Sequence, residues 1–229
     1  MKTTFSKLAV LLSITVLFDA VLLLYRNIHL TAYWAGFHEG SELMIGDRRV
    51  TFLFLGWNLF LAWIPYGISL LLKERQSLPF KLIIISAWLL FFPNAPYIIT
   101  DLLHLRARPP VPLWYDMLTI FAFAWTGLIF GFLSLIRVQK ILIREWGVTV
   151  GHLLTGGAFL LAGLGIYIGR FLRWNSWDIV TRPFHLIADL ATIFTDPAMH
   201  WPAMGLGILS SVLMILGYAT IRAMRKCLD

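Results

Sequence analysis

The chain has 229 residues, of which 59% are hydrophobic and 14% charged, and its formal net charge is +7. Soluble domains carry about a quarter charged residues and about half apolar ones, so this composition excludes a soluble enzyme and fits a polytopic membrane protein. The single cysteine, Cys227, excludes an intrachain disulfide and a cysteine-based zinc or iron–sulfur site. The basic residues are scattered through short loops with no aromatic-interleaved patch, which excludes nucleic acid as a partner.

A bilayer core of about 30 Å needs roughly 20 residues of helix. Six segments meet that length: 8–25, 50–72, 82–105, 114–136, 148–169 and 203–219. No long linker, low-complexity tract or repeat divides them. The expectation is an all-α polytopic transmembrane helix bundle forming one integral membrane domain over 1–229. Lys2 and Lys7 precede the first segment and no small-x-small site follows it, so it reads as an uncleaved anchor. Six spans put both termini on one side. With the N-terminus in the cytoplasm, the short inner loops hold eleven Lys and Arg against eight outside, the sense that the positive-inside rule favours. The expected location is a plasma membrane with both termini cytoplasmic. In this topology His152 alone among the histidines is inside, and most of the acids lie outside, so any site faces outward.

In chain order, Asp19 is an intramembrane acid and a functional candidate by default, unless it reaches the outer interface. The loop 26–49 carries His29, His38, Glu39, Glu42 and Asp47 and is long enough to act as a lid. Asn58 is expected to bond a neighbouring helix. The third span, 82–105, is broken at Pro93–Pro96. Each proline lacks an N–H and clashes with the carbonyl four residues back, here those of Leu89 and Phe92. In lipid, freed backbone groups persist only in protein or beside a wet cavity. Asn94, between the prolines, can bond them or cap the second half-helix, and Tyr97 follows. A kink repaired by neighbouring helices competes with a binding site at a discontinuous helix.

Past the break, Asp101 and His104 share a helix face at i, i+3. They form half of a metal site or a helix-end pair. Span four opens on Trp114, Tyr115 and Asp116. The aromatics are interface anchors, and Asp116 suits the helix dipole or joins Asp101. Span five ends in GRFLRWNSWD, which gathers Arg170, Arg173, Asn175 and Asp178. Arginine grips phosphate or carboxylate in a two-point contact. Alternatively, the arginines snorkel and Asp178 pairs with Arg170 or Arg173. Residues 181–195 read as an outer-face amphipathic helix, capped by Thr181 with Pro183 in its first turn. His185 and Asp189 share a face at i, i+4, as metal donors or as an ion pair. G-x-x-x-G pairs at Gly127–Gly131 and Gly165–Gly169 predict packing of spans four and five together. His152 has no visible partner.

The blocks WNLFLAWIP (57–65), LLFFPNAPYIITDLLHL (89–105), WYD (114–116) and GRFLRWNSWD (169–178) resemble the bacterial integral-membrane family called domain of unknown function 1361, over about residues 50–180. The resemblance implies a multi-pass bacterial membrane protein and supplies no activity, cofactor or catalytic residue.

No nucleotide, haem or flavin signature is present. A divalent metal on Asp101, His104, His185 and Asp189 is one cofactor candidate. Three function classes remain. The first is an outward-facing hydrolase or transferase acting on a lipid-linked or envelope substrate. Its catalytic candidates are Asp101, His104, Asp116 and Asp178, and its substrate-binding candidates are Asn94, Tyr97, Arg170, Arg173 and Asn175. The second is a non-catalytic scaffold or accessory protein that binds another membrane protein. The third is a small transporter or channel component lined by the broken span, Asp19 or Asn58. The lipid bilayer is a partner in all three.

Overall fold

The computed structural model describes residues 2–37, 52–107 and 111–228. The protein is all-α. Its helices are α1 (Lys2–Phe37), α2 (Leu53–Leu70), α3 (Leu78–Phe91), α4 (Asn94–Tyr97), α5 (Leu113–Phe171), α6 (Asp178–Thr181), α7 (Pro183–Thr195) and α8 (Pro197–Leu228), with a 3₁₀ segment at Ile98–His104. Among the described residues, five helical stretches are long and apolar enough to cross a membrane. One of them, α5, has 59 residues. At 1.5 Å per residue that is about 88 Å, far more than one crossing needs. Gly147 breaks it with φ 84° and ψ 170°, a conformation that glycine adopts without steric cost. The arms on either side, 113–146 and 148–171, contain the predicted spans 114–136 and 148–169.

The described chain divides into two compact units. The first comprises Met1–Phe60 with Ile98–Gly127, and the second Leu61–Tyr97 with Leu128–Asp229. In the first unit α1 continues to Phe37, so residues 26–37 are helix where a loop was expected. The remainder of the proposed lid lies outside the described residues.

The core of the second unit is apolar. Trp88 and Phe92 of α3–α4, Leu135, Val138, Phe159 and Ala162 of α5, and Met214 and Tyr218 of α8 all belong to it. Its aromatic rings run in series: Trp88 meets Phe92 at 4.6 Å, Phe92 meets Phe159 at 6.3 Å, and Phe159 meets Tyr218 at 5.7 Å. Trp88 is 1% exposed and donates its indole N–H to Ser134 Oγ at 3.1 Å. The indole is thereby satisfied without water, as a buried polar group requires.

The two arms of α5 fold back on each other at Gly147. Gln139 Nε2 donates to Thr155 Oγ1 at 3.0 Å, and a Cβ on Gly151 would press on the Ile143 backbone at 2.9 Å. Gln139 also contacts His152 at 3.1 Å, accepts from the Tyr218 hydroxyl and lies 3.3 Å from Arg222. His152 therefore has partners, Gln139 and Arg222, that the sequence did not reveal. At the same end Lys81, 3% exposed, pairs with Glu145 at 2.6 Å and donates to the Glu74 carbonyl at 2.9 Å. The Glu74 carboxylate lies between Lys140 and Arg144. Hydrogen bonds from these two cations, Lys140 first, hold it below the usual carboxylate range.

The break in the third span differs in detail from expectation. The Phe92 carbonyl, predicted to be freed, accepts the Ala95 N–H at 3.1 Å, and the Pro93 carbonyl accepts the Tyr97 N–H at 3.1 Å. Asn94 Nδ2 donates to the Phe91 carbonyl at 3.0 Å and to Ser176 Oγ at 3.1 Å. The first of these bonds is the tighter i→i−3 kind and the second an ordinary helical one, and Asn94 ties the break to the loop after α5. Glycines make room for it. A Cβ on Gly165 would lie 2.6 Å from Pro93, one on Gly131 would lie 2.9 Å from Ala95, and one on Gly169 would lie 3.1 Å from Tyr97. These glycines receive the broken third span, whereas the sequence reading paired spans four and five through them. The closest backbone approach of this kind is between Gly163 of α5 and Gly207 of α8. Each would drive a Cβ into the other's carbonyl, and Ser211 Oγ donates to the Phe159 carbonyl at 2.9 Å across the same seam.

Helix α7 begins with Pro183 in its first turn as predicted, but its N-cap is Arg182 and not Thr181. The Thr181 hydroxyl lies against the Trp177 carbonyl and Asp178 Oδ1. Phe184 and Ile187 are 82% and 63% exposed, the apolar face expected of an interfacial helix.

Candidate functional site

The catalytic candidates divide between the units: Asp101, His104 and Asp116 lie in the first, and Asp178 in the second. In the first unit the dominant polar feature is one the sequence reading missed. Asp116, in the first turn of α5, is fully buried and receives a two-point contact from Arg26 of α1. Nε meets Oδ1 at 2.7 Å and Nη2 meets Oδ2 at 3.0 Å. The Arg26 guanidinium is also stacked on the Phe52 ring, 3.6 Å from its centroid. Phe52 is buried and holds a positive φ of 48°, which is costly for a bulky aromatic residue. Tyr115 extends the contact by donating its hydroxyl to the Leu22 carbonyl at 2.8 Å. The signal that could have found Arg26 is its seven-residue offset from Asp19 in the first span.

Asp101 is also fully buried. Asn58 Nδ2 donates to its Oδ2 at 2.8 Å, so Asn58 bonds across elements as expected. His104 Nδ1 lies 3.8 Å from Asp101 Oδ1, and its side chain is 48% exposed. That separation is longer than a hydrogen bond. The His104 ring also packs on Phe54, with centroids 5.3 Å apart. The result is a buried carboxylate, bonded by Asn58, beside a half-exposed imidazole.

In the second unit, Tyr97 and Arg170 are neighbours. The guanidinium lies 5.5 Å from the ring centroid, and Nη1 is 3.5 Å from the hydroxyl. Arg173 is exposed and takes a left-handed φ of 59° at the end of α5. Asp178 is buried and acts within the loop. It accepts the Asn175 backbone N–H at 2.8 Å and side chain at 3.3 Å, and it pairs with Arg182 at 3.1 Å. The partner is thus Arg182, where the sequence pointed to Arg170 or Arg173. Arg182 also stacks on Trp174, and the Trp174 indole donates to Asp189 at 2.8 Å. His185 is exposed on the same helix as Asp189. Among the described residues, no three His, Cys, Asp or Glu side chains come together as a metal cage. Asp101–His104 and His185–Asp189 each offer two donors.

The Asn175 backbone N–H, ahead of the Arg182 guanidinium, holds the Asp178 carboxyl below its ordinary value of 3.8, against the opposing effect of burial. A depressed folded pKa contributes stability that is complete above the unfolded value and is lost as pH falls through the folded one. The Arg182 amide, which donates to the Asp178 carbonyl at 2.8 Å, should exchange more slowly in the wild type than in Asp178→Asn at neutral pH. The difference should vanish once acid drops below the folded pKa. Equal exchange at neutral pH would show that the carboxylate does not hold this turn.

The family model described as Protein of unknown function (DUF1361) matches residues 57–216. No curated protein and no solved structure matches the chain. The matched region runs from α2 into α8. It takes in Asn58, the broken third span, Asp101, His104, Asp116 and the loop with Asp178, and it extends past the blocks that carried the resemblance in sequence. Arg26 and Asp19 precede it. With more than half of its length matched by that model, this membrane protein belongs to the DUF1361 family.

Proposed function

We propose that the protein is a multi-pass protein of a bacterial plasma membrane, with both termini cytoplasmic. In this proposal His104 serves, at the extracytoplasmic end of the first unit, as the general base of a hydrolase or transferase acting on a lipid-linked or envelope substrate. The observation that carries this reading is the pairing of Asp101 with His104. Asp101 is buried and bonded by Asn58, and the His104 side chain beside it is half exposed. A carboxylate behind an imidazole sets its tautomer and stabilises the cation formed when it takes a proton. Asp116 is a positioning residue in this scheme, because both of its oxygens are committed to Arg26.

The test compares lipid-linked envelope intermediates in cells lacking the gene, complemented with wild type, His104→Ala or Asp101→Asn. The expected result is a lipid-linked species that accumulates without the protein and is cleared by wild type. His104→Ala should clear it at least a hundredfold more slowly, within the range general acid–base catalysis contributes. Clearance at the wild-type rate by a well-expressed His104→Ala overturns the reading.

The second reading, a scaffold, is favoured by a different observation. Asp116 and Asp178 spend their charge on Arg26 and Arg182, which fixes helix ends and loops without leaving a reactive group. It expects a partner membrane protein that cross-links equally to wild type and to His104→Ala.

A further inference from the structure

Among the described side chains of α1, three are buried: Leu12, Asp19 and Arg26. Seven residues are close to two helical turns, so the three form one narrow stripe. The apolar side chains around it, such as Leu17, Val21 and Leu24, are exposed, as lipid-facing positions of a membrane helix would be. The stripe that α1 turns toward protein is therefore polar at two of its three positions. Arg26 is answered there by Asp116. Among the described residues, no cation answers Asp19 in the same way.

Asp19 is 1% exposed. Its carboxyl meets the Thr126 hydroxyl of α5, and its Oδ2 has no hydrogen-bond partner among the described residues. A hydroxyl satisfies one oxygen of a carboxylate and leaves the charge in place. An ionised carboxylate with one bare oxygen, inside a membrane helix and away from water, is among the costliest arrangements a protein can hold. Among the described residues, the titratable side chains shown near α1 in this unit have other partners. Arg26 and Asp116 neutralise each other two turns further along. Tyr115, whose ring lies 5.5 Å from that of Tyr25, donates to the Leu22 carbonyl. Asp101 and His104 sit on the 3₁₀ segment with Asn58 and Phe54. The α2 residues of this unit add no charge.

We propose that Asp19 is a proton-binding site buried in the first span. Oδ2 takes up a proton from water, and the side chain rests as a neutral carboxylic acid beside the Thr126 hydroxyl. The proton leaves only when the α1–α5 contact admits water or a cation. The ligand is the proton itself. This function is independent of any chemistry at His104 and is the element a proton-coupled membrane protein needs.

Infrared spectroscopy of the protein in lipid bilayers tests this. At neutral pH the wild type should show a protonated-carboxyl C=O band that shifts in heavy water and is absent from Asp19→Asn. Glu74→Gln, which alters an exposed carboxylate, should leave it unchanged. Thr126→Val should move the band, because the acid loses the hydroxyl beside it. Asp19→Asn replaces a neutral acid with a neutral amide of the same shape, so its melting temperature at neutral pH should equal or exceed that of wild type. Two results would overturn the proposal. One is a folded Asp19→Asn whose carboxyl region matches wild type. The other is an Asp19→Asn that melts well below wild type, since that would show an ionised Asp19 holding a counter-charge.

Discussion

Asp116→Ala should destabilise the protein by about 3–5 kcal/mol, the cost of leaving one partner of a buried ion pair uncompensated. The residue left behind is Arg26, which is 1% exposed. Its guanidinium would keep the Phe52 ring and lose both carboxylate contacts. Arginine does not discharge by releasing a proton, so the variant keeps a buried charge that has lost this carboxylate. Arg26→Met combined with Asp116→Leu removes both charges and restores apolar contact, so it should lose much less than the single variant. Reversible unfolding in lipid bicelles measures both. A loss under about 1 kcal/mol for Asp116→Ala would place this pair among solvated ones. It would also remove the reason to regard α1 as locked to the start of α5.

Gly163→Val should be the second most damaging substitution, at about 3 kcal/mol, the upper end of the range for overpacking. The obstacle is backbone, because a Cβ at 163 runs into the Gly207 carbonyl as well as the Ser211 hydroxyl. A flexible side chain can swing away, whereas two helix backbones can only separate. Separation would break the Ser211 bond to the Phe159 carbonyl and loosen Phe159 in the aromatic series. The same arm supplies its own control. Gly156 and Gly157 have nothing within 4 Å of a built Cβ, so alanine there should be neutral or slightly stabilising through helix propensity. Thermal melting of the three variants side by side decides the matter. Equal behaviour of Gly163→Val and Gly157→Ala would deny the close approach of α5 and α8.

The elements legible in sequence were those set by one-dimensional signals. Runs of apolar residues located the spans, and two prolines located the break. Pro183 marked the start of the interfacial helix. What escaped required knowing which element meets which. Arg26 reads as an ordinary interface arginine, because its partner is 90 positions away. Small residues announce that a backbone comes close and do not say whose, so Gly131, Gly165 and Gly169 were assigned to each other when they receive the third span. Asp178 and Arg182 stand at i, i+4, a spacing that sequence can read, but the arginines just upstream were equally near along the chain. The 3₁₀ form of 98–104 was not legible either. Its pattern is apolar and helical, and the change in hydrogen bonding follows from the prolines that precede it.

The Gly147 turn has a consequence for how the chain is made. One residue turns the chain between the two arms of α5, and the predicted spans on either side, 114–136 and 148–169, are joined by a short segment that carries Arg137, Lys140, Arg144 and Glu145. Two spans joined this closely are suited to enter the bilayer as a hairpin, with contacts such as Gln139 to Thr155 closing its turn.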